Sequence, residues 1–324
     1  MTSKDLAILI QFTKLIANHK ESLKGKLIEI TMKKTTIQKI NHLVCAAIAI
    51  GTMSSSITSA QEKLDYVKIL KNGHYTSSND PNPIPFKYQN SNDSALVSLR
   101  SQYKLDSISG FGNNQSRVLN VLHWVHNTIR HNGTEESGIK RVNAHEILAT
   151  AKNKGIGVSC GELATVLNDC YLALGWSSKK IYCFPKDSSK SDPDSHVINA
   201  VYLPNEGKWI MVDPTNDAYV MDENGSLLSI EEVRERITEG KPLILNPDAN
   251  WNRRISMTRA NYVFSYMAKN LYRLYTPIIS AYDYESESVQ NRHYITLAPV
   301  EYKEVVKSFP NTVIHDPSLF WSIP

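Results

Sequence analysis

The stretch GVSCGELATVLNDCYLALG, residues 157–175, contains the pattern that decides how this chain folds. After Cys160, apolar side chains recur at helical spacing until Gly175, and a glycine just beyond such a stripe is typical of a helix C-terminus. The stripe therefore predicts a helix that packs in the core. Gly157 and Gly161 flank the cysteine and allow the backbone to turn sharply beside it. The pattern places Cys160 in the first turn of this core helix.

A cysteine in the first turn of a helix is in a position that favours its thiolate form. The first backbone N–H groups of a helix have no partner within the helix, and the helix dipole adds to their positive field. A neighbouring imidazolium can then lower a cysteine pKa from about 8.5 into a range of roughly 3.5 to 7.5. Cys160 is thus a candidate nucleophile, although on its own it could equally be a small buried apolar residue.

Residue patterns typical of helices precede this stretch, and patterns typical of strands follow it. The predicted elements are helices over residues 116–130 and 144–152, then strands over residues 180–184, 196–203 and 208–212. A turn signal at residues 204–207 indicates that the last two strands make an antiparallel hairpin. Helices followed by strands predict an α+β fold, with helices packed on an antiparallel sheet and the nucleophile at a helix N-terminus.

The predicted hairpin gives Cys160 two partners. His196 opens the first strand and Asp213 closes the second, so antiparallel pairing brings the two ends together. A carboxylate that accepts from the imidazole holds the ring in the tautomer that faces sulfur, as in a catalytic triad. Taken singly, His196 could be a strand-end histidine and Asp213 the start of an Asp-Pro turn. Their occurrence together predicts a triad of Cys160, His196 and Asp213.

Three segments of this region resemble the motifs of the transglutaminase-like superfamily, whose core is related to the papain-type cysteine proteases. They are GVSCGELATVL, SHVINAVYL and KWIMVDPT, within residues 118–217. The resemblance implies a papain-like core with Cys160 as nucleophile, His196 as base and Asp213 as the residue that orients the base. Family members include transglutaminases, peptide N-glycanases and bacterial peptidases. Gly161 stands where animal transglutaminases have tryptophan, which is a departure from the crosslinking enzymes.

The chemistry expected of this triad is hydrolysis of a peptide or amide bond through an acyl-thioester on Cys160. The alternatives are acyl transfer to an amine, as in a protein-glutamine transglutaminase, and a binding module that keeps the fold without turnover. The Cys160 backbone N–H is expected to bind the oxyanion. Gln115, His123 and Trp124 are candidates for further polar or aromatic contacts at the site, but nothing in the sequence positions them.

The sequence predicts no cofactor and no metal site. His123 and His126 have a metal-like spacing, yet no acidic or cysteine partner accompanies them, and surface or core roles are the better interpretation. Trp209, Tyr219 and Trp251 could line a groove near the site, but packing is preferred for each of them. A protein or peptide substrate is the expected partner.

The formal net charge of +4 is concentrated at the front of the chain. Residues 1–60 contain eight lysines and three acidic residues, which leaves the remaining sequence close to neutral. A neutral body gives no reason to expect nucleic acid as a partner.

The front segment is typical of a secretory signal with an internal start at Met32. Basic residues precede an apolar run at residues 43–53, and small residues lead to a predicted cleavage after Ala60. The apolar run is shorter than the roughly 20 residues that cross a bilayer, so stable membrane insertion is not expected. The mature protein is expected to be periplasmic or extracellular. Residues 1–31 could instead form an amphipathic helix or reflect an overextended start.

Cleavage would leave an odd number of cysteines, namely Cys160, Cys170 and Cys183. An unpaired thiol in an exported protein is a candidate reactive residue. Cys170 is on the stripe of the core helix and Cys183 on the following strand. Core packing is the preferred interpretation of these two, with a mutual disulfide as the alternative.

The chain divides into a leader at residues 1–60, an extended lead-in at 61–109, a catalytic core at 110–220 and C-terminal elements at 221–324 packed on the core. Within the last part, the patterns predict a helix over residues 229–239, irregular structure over 242–251, an aromatic-rich helix over 259–275 and an extended piece over 293–297.

Overall fold

A mixed six-stranded sheet organises the fold. The structure is a computed structural model that describes residues 66–77, 83–186, 195–303 and 310–324. These residues belong to one compact unit, residues 63–324. The leader, its start at Met32 and the cleavage after Ala60 lie outside the described residues and stay predictions.

The strands are short except at the centre of the sheet. They are β1 (Lys87–Tyr88), β2 (Ser178–Phe184), β3 (His196–Leu203), β4 (Lys208–Val212), β5 (Val220–Met221), β6 (Ile244–Leu245), β7 (Asn250–Trp251), β8 (Ile255–Ser256), β9 (Arg273–Pro277), β10 (Ile279–Ser280), β11 (Tyr294–Leu297) and β12 (Asn311–Ile314). The order in the main sheet is β12-β11-β9-β2-β3-β4, and only β11 and β12 run parallel.

Helices precede the strands of the main sheet, occur between β4 and β9, and follow β12 in sequence. Those with both ends inside the described residues are α1 (Ser94–Gln102), α2 (Leu105–Ser109), α3 (Asn114–Thr128), α4 (Ala144–Lys154), α5 (Cys160–Ala173), α6 (Ile230–Glu239), α7 (Arg259–Asn261), α8 (Ala268–Asn270) and α9 (Pro317–Phe320). A π-helix, Tyr262–Met267, joins α7 to α8. Within the described parts of the chain, no helix has both the length and the apolar character that a membrane crossing requires.

The sheet is buried on both faces because its strands alternate between two hydrophobic clusters. Ile198 and Ala200 of β3 face a cluster formed with the C-terminal elements, whereas Val201 and Leu203 face the cluster formed by helices α1 to α5. Strand side chains alternate with a period of two, so one strand serves both clusters. This arrangement confirms the α+β prediction and the core position of α5.

The two clusters also explain the remaining cysteines. Cys170 of α5 packs in the helical cluster, whereas Cys183 of β2 packs in the cluster on the opposite face of the sheet. Both are buried free thiols. The sheet separates them, so the alternative of a mutual disulfide is wrong and the core-packing interpretation is confirmed.

The prediction of an aromatic-rich helix over residues 259–275 is confirmed as far as Asn270 and wrong beyond it. The helical region ends at Asn270, and Arg273–Pro277 forms β9, which pairs with β2 and β11. Tyr275 stacks on Tyr182 of β2 with ring centroids 4.5 Å apart. Tyrosine is compatible with helix and strand alike, and the pairing with two neighbouring strands decides between them.

Two other segments are more regular than predicted. The lead-in over residues 61–109 includes helices α1 and α2, whose Leu96, Leu99 and Leu105 are fully buried. The segment 242–251, predicted as irregular, contains β6 and β7. Both errors concern short elements whose hydrophobic pattern spans too few residues for a period to be visible.

Candidate active site

Cys160 is the first residue of α5, and a capping box fixes the start of that helix. The Ser159 hydroxyl accepts from the Glu162 N–H at 3.3 Å, and the Glu162 carboxylate accepts from the Ser159 N–H at 2.7 Å. These two bonds satisfy backbone donors that would otherwise lack a partner. The helix therefore begins at one defined residue, and the Cys160 side chain leaves the backbone at a fixed point.

The residues before Cys160 pair with a short extended segment that follows α3. The Val158 N–H donates to Arg130 O at 2.9 Å, and the Asn132 N–H donates to Val158 O at 2.7 Å. Gly157 is required here, since an added Cβ would lie 2.7 Å from Asn132 Cβ. This pairing places the intervening residue, His131, beside the nucleophile.

His196 and Asp213 are in contact, as the hairpin predicted. His196 Nε2 lies 2.7 Å from Asp213 Oδ2, and both side chains are almost completely buried. The contact follows from the antiparallel register of β3 and β4, in which Asn199 faces Val212. The ring therefore uses Nε2 for the carboxylate and keeps Nδ1 for another group.

The Asp213 carboxylate receives four further hydrogen bonds. Oδ1 accepts from the Thr215 and Asn216 N–H groups at 2.8 and 3.3 Å, and Oδ2 accepts from Asn216 Nδ2 at 3.0 Å and the Tyr262 hydroxyl at 2.8 Å. Burial alone would raise the pKa of Asp213, but the charge of His196 and these hydrogen bonds lower it. Asp213 is therefore a carboxylate at neutral pH.

The charge state of Cys160 follows from its neighbours. Burial raises the pKa of the Cys160 thiol, but hydrogen bonds with His131 and His196, the charge of His196 and the Val197 N–H together lower it to about 6. Burial lowers the pKa of His196, while the Asp213 charge and hydrogen bond and the Cys160 contact raise it by more. At neutral pH the pair is a thiolate and an imidazolium.

The contact between Cys160 and His196 is looser than a standard hydrogen bond. Nδ1 of His196 is buried and, among the residues that the structure describes, has no partner within standard hydrogen-bond limits, although its ring interacts with the thiol. Catalytic hydrogen bonds are often long without substrate and shorten when the substrate binds. The arrangement suits a base that approaches sulfur during reaction.

The three motifs found in the sequence lie, apart from Thr215, in a segment that matches a known family. Residues 102–214 match the model of the transglutaminase-like superfamily. The matched segment includes Cys160, His196 and Asp213, so the resemblance drawn from the motifs is confirmed. The strands β9, β11 and β12 of the same sheet come from outside that segment.

One solved structure is similar to part of this chain. It is described as "a Putative Cysteine Protease from Cytophaga hutchinsonii". Its sequence is 18% identical to this chain, and the TM-score of the superposition is 0.30. The match covers 53% of this chain and 57% of that one, which is less than two thirds of its length. No curated protein matches this chain significantly.

The sequence did not identify three residues at the candidate site. A side-chain hydrogen bond from His131 lowers the pKa of the Cys160 thiol. Tyr262 donates to Asp213, and the Tyr266 ring lies with its centroid 5.0 Å from that of His196. Both tyrosines come from the π-helix, an element that occurs frequently at functional sites. The spacing of four residues between the two tyrosines is visible in the sequence. The residues that they contact, Asp213 and His196, lie far away in sequence, so the sequence does not connect them.

The residues proposed from the sequence as further site contacts are engaged elsewhere. Gln115 donates to Glu206 at 2.8 Å, His123 Nδ1 lies 2.7 Å from Asp217 Oδ1, and the Trp124 ring packs on Tyr103. The packing interpretation of Trp251 is incomplete, because its indole contacts His131.

The two histidines with metal-like spacing face different partners. His126 Nδ1 lies 3.0 Å from Pro214 O, so helix α3 fastens the turn that follows Asp213. His123 is paired with Asp217. Over the described ranges of the chain, no group of three or more metal-ligating side chains is assembled.

Proposed function

We propose that this protein is a cysteine-dependent hydrolase of peptide or amide bonds, acting through an acyl-thioester on Cys160. The observation that carries the proposal is the buried pair of His196 and Asp213, 2.7 Å apart, next to a cysteine in the first turn of α5. A carboxylate that holds an imidazole beside a sulfur nucleophile is the arrangement that acyl transfer needs. The match of residues 102–214 to the transglutaminase-like superfamily supports the same class of chemistry.

The reaction would proceed in two acyl-transfer steps. The Cys160 thiolate attacks the carbonyl carbon, the oxygen takes the negative charge near the Cys160 N–H, and the C–N bond breaks as His196 gives its proton to the leaving amine. Water then attacks the thioester and gives a proton to neutral His196. The C–S bond breaks, a carboxylic acid leaves, and the thiolate and imidazolium are restored.

The first test measures the pH dependence of iodoacetamide labelling at Cys160. The thiolate fraction grows as pH rises through the thiol pKa, so the wild-type midpoint is expected near pH 6. The imidazolium persists above that pH because the pKa of His196 is raised. His196→Ala removes it, and the midpoint should move toward about 8.5, the ordinary value for cysteine.

Peptide mapping makes this measurement specific to Cys160. Cys170 and Cys183 are buried, and burial raises the pKa of both thiols well above the ordinary range, so neither should label in the folded protein. Cys160→Ser provides the blank. A wild-type midpoint near 8.5, or one that His196→Ala leaves in place, would contradict the proposal and favour a binding module.

The second test separates hydrolysis from transfer to an amine. The protein is incubated with a mixture of peptides in ¹⁸O-labelled water and a biotinylated primary amine, with Cys160→Ala as control. Hydrolysis predicts ¹⁸O in new carboxyl groups, whereas a transglutaminase predicts biotin on glutamine side chains. Incorporation of amine without ¹⁸O would overturn hydrolysis and leave the acyl-thioester chemistry standing.

We further propose that the mature protein is exported and acts on proteins or peptides outside the cytoplasm. The basic stretch, apolar run and small residues before Ala60 support this. N-terminal sequencing of the protein from the cell envelope and medium tests it, and mature protein that begins elsewhere than Gln61 would contradict the cleavage site.

A further inference from the structure

The hairpin of β7 and β8 holds the segment that carries His131. Asn252, at its tip, accepts from the His131 N–H at 2.7 Å and donates from Nδ2 to His131 O at 2.9 Å. Trp251 donates its indole N–H to His131 Nδ1 at 3.0 Å. Backbone and ring of His131 are therefore both fixed by a hairpin outside the segment that matches the family model.

The indole contact determines which nitrogen of His131 carries the proton. An indole N–H can only donate, so the nitrogen that receives it must present a lone pair. Nδ1 of His131 is thus unprotonated, and the single ring proton is on Nε2. The ring is a neutral imidazole whose remaining polar group is an N–H donor.

The pairing of His131 with Val158 places this ring beside Cys160. A hydrogen bond from the ring lowers the pKa of the Cys160 thiol and so favours the thiolate. With Nδ1 occupied by Trp251, the bond to sulfur falls to Nε2–H. Gly133 lies beside this nitrogen, where an added Cβ would stand 3.4 Å from His131 Nε2. The two histidines at the nucleophile are therefore different: His196 faces a carboxylate, and His131 faces an indole N–H.

The difference has a chemical use. An imidazolium next to sulfur can return its proton and regenerate the thiol, whereas a neutral imidazole N–H stabilises negative charge without giving its proton away. One cationic ring therefore supplies the proton for the leaving amine, and one neutral ring keeps the thiolate populated. We propose that Trp251 is a positioning residue that holds His131 as the Nε2–H tautomer, so that a neutral N–H bonds to the Cys160 thiolate.

The backbone of the hairpin tip supports a specific role. Asn252 and Arg253 both have positive φ, 55° and 58°, and the Arg254 N–H closes the turn on Trp251 O at 3.1 Å. Positive φ is uncommon outside glycine, and such conformations persist where surrounding contacts require them. Here the strained tip is what aligns the Asn252 amide with the His131 backbone.

The inference rests on the proposed function, and two measurements test it. The first is the ¹H–¹⁵N side-chain correlation of His131, which reports the tautomer directly. The second is the pH midpoint of Cys160 labelling, which needs no substrate. The variants are Trp251→Phe, His131→Gln and the two combined. Gln supplies an amide N–H donor that does not depend on the indole.

Wild-type His131 is expected to show the Nε2–H tautomer alone. In Trp251→Phe the Nδ1–H tautomer should become populated, and the Cys160 midpoint should rise by about one pH unit, the size of a partly lost hydrogen bond to a charged group. His131→Gln should stay within about half a unit of wild type. Adding Trp251→Phe to His131→Gln should then change nothing further.

Trp209→Phe is the matched control. Trp209 also donates a buried indole N–H, to Trp321 O at 3.1 Å, but it lies in the cluster with the C-terminal elements. It should leave the His131 tautomer and the Cys160 midpoint unchanged. Equal shifts in both tryptophan variants, an unchanged tautomer in Trp251→Phe, or a further shift in the double variant would overturn the inference. Failure of the proposed function has a different signature, a wild-type midpoint near 8.5.

Discussion

Five hydrogen bonds converge on the Asp213 carboxylate, and this concentration of donors keeps a buried group ionised. An ionised Asp213 in turn keeps His196 protonated despite its burial, and His196 stabilises the Cys160 thiolate. Each charge in this series offsets the free-energy cost of burying the next charged group. At the scale of single residues, the site therefore depends on the first charge, that of Asp213.

Asp213→Asn is expected to remove that charge with little change of shape. His196 should then be neutral at pH 7, since the carboxylate is what raises its pKa, and the labelling midpoint of Cys160 should rise. Turnover should fall by roughly 10³- to 10⁴-fold, as when a triad histidine loses its orienting carboxylate. Labelling kinetics from pH 5 to pH 9 give the first value, and peptide hydrolysis gives the second.

Tyr262→Phe serves as the graded comparison. It removes one hydrogen bond to Asp213 and keeps the charge, so the change in the labelling midpoint should be smaller than in Asp213→Asn. An effect of Tyr262→Phe as large as that of Asp213→Asn would show that the tyrosine does more than satisfy the carboxylate.

Side-chain caps at the N-termini of the helices determine where those helices begin. Helix α5 begins in a capping box at Ser159 and Glu162, and α6 begins in a second one at Ser229 and Glu232. Two helices with the same N-terminal chemistry, one at the site and one away from it, separate the effect of a cap on stability from its effect on the nucleophile.

Ser159→Ala is expected to lower the free energy of unfolding by about 1 kcal/mol, the usual cost of losing an N-cap side chain. For a domain of this size that corresponds to a fall in Tm of about 2–4 °C. It should also raise the labelling midpoint of Cys160, because a frayed first turn weakens the positive field at the helix start.

Ser229→Ala is the matched variant for this prediction. It removes the same capping interaction and should lower Tm by a similar amount, while the Cys160 midpoint stays at its wild-type value. If both variants left the midpoint unchanged, the start of α5 would have a structural role only.

At the scale of the whole molecule, the sheet joins the segment that matches the family model, residues 102–214, to the C-terminal residues. The buried Lys179 of β2 donates to Phe320 O at 2.8 Å, with its Nζ 3.5 Å from the Phe86 ring centroid. Trp209 donates to Trp321 O. The end of the chain thus covers the face of the sheet opposite helix α5, and core and C-terminal elements share one hydrophobic cluster.

Phe320→Ala should therefore destabilise the entire unit, by about 3–5 kcal/mol, because it opens a cavity beside a buried lysine. Denaturant unfolding measures this. Phe111→Ala is the control, since Phe111 is 99% exposed and should change stability by no more than about 0.5 kcal/mol. The Cys160 midpoint in native buffer should be unaffected in both. A loss below about 1 kcal/mol for Phe320→Ala would mean that the C-terminal helix is not part of the cooperative unit.

The sequence by itself determined helix α5, hairpin β3–β4 and the meeting of His196 with Asp213. The helix and the strands follow from local hydrophobic periods. The short turn between β3 and β4 sets the strand register that brings His196 to Asp213. Tertiary structure alone decided the conformation of residues 271–277 and the presence of His131, Tyr262 and Trp251 at the site. Trp251 meets His131 across 120 positions of sequence, and β9 is a strand because β2 and β11 supply partners for its backbone. Aromatic side chains are compatible with either conformation, and only long-range pairing selects one.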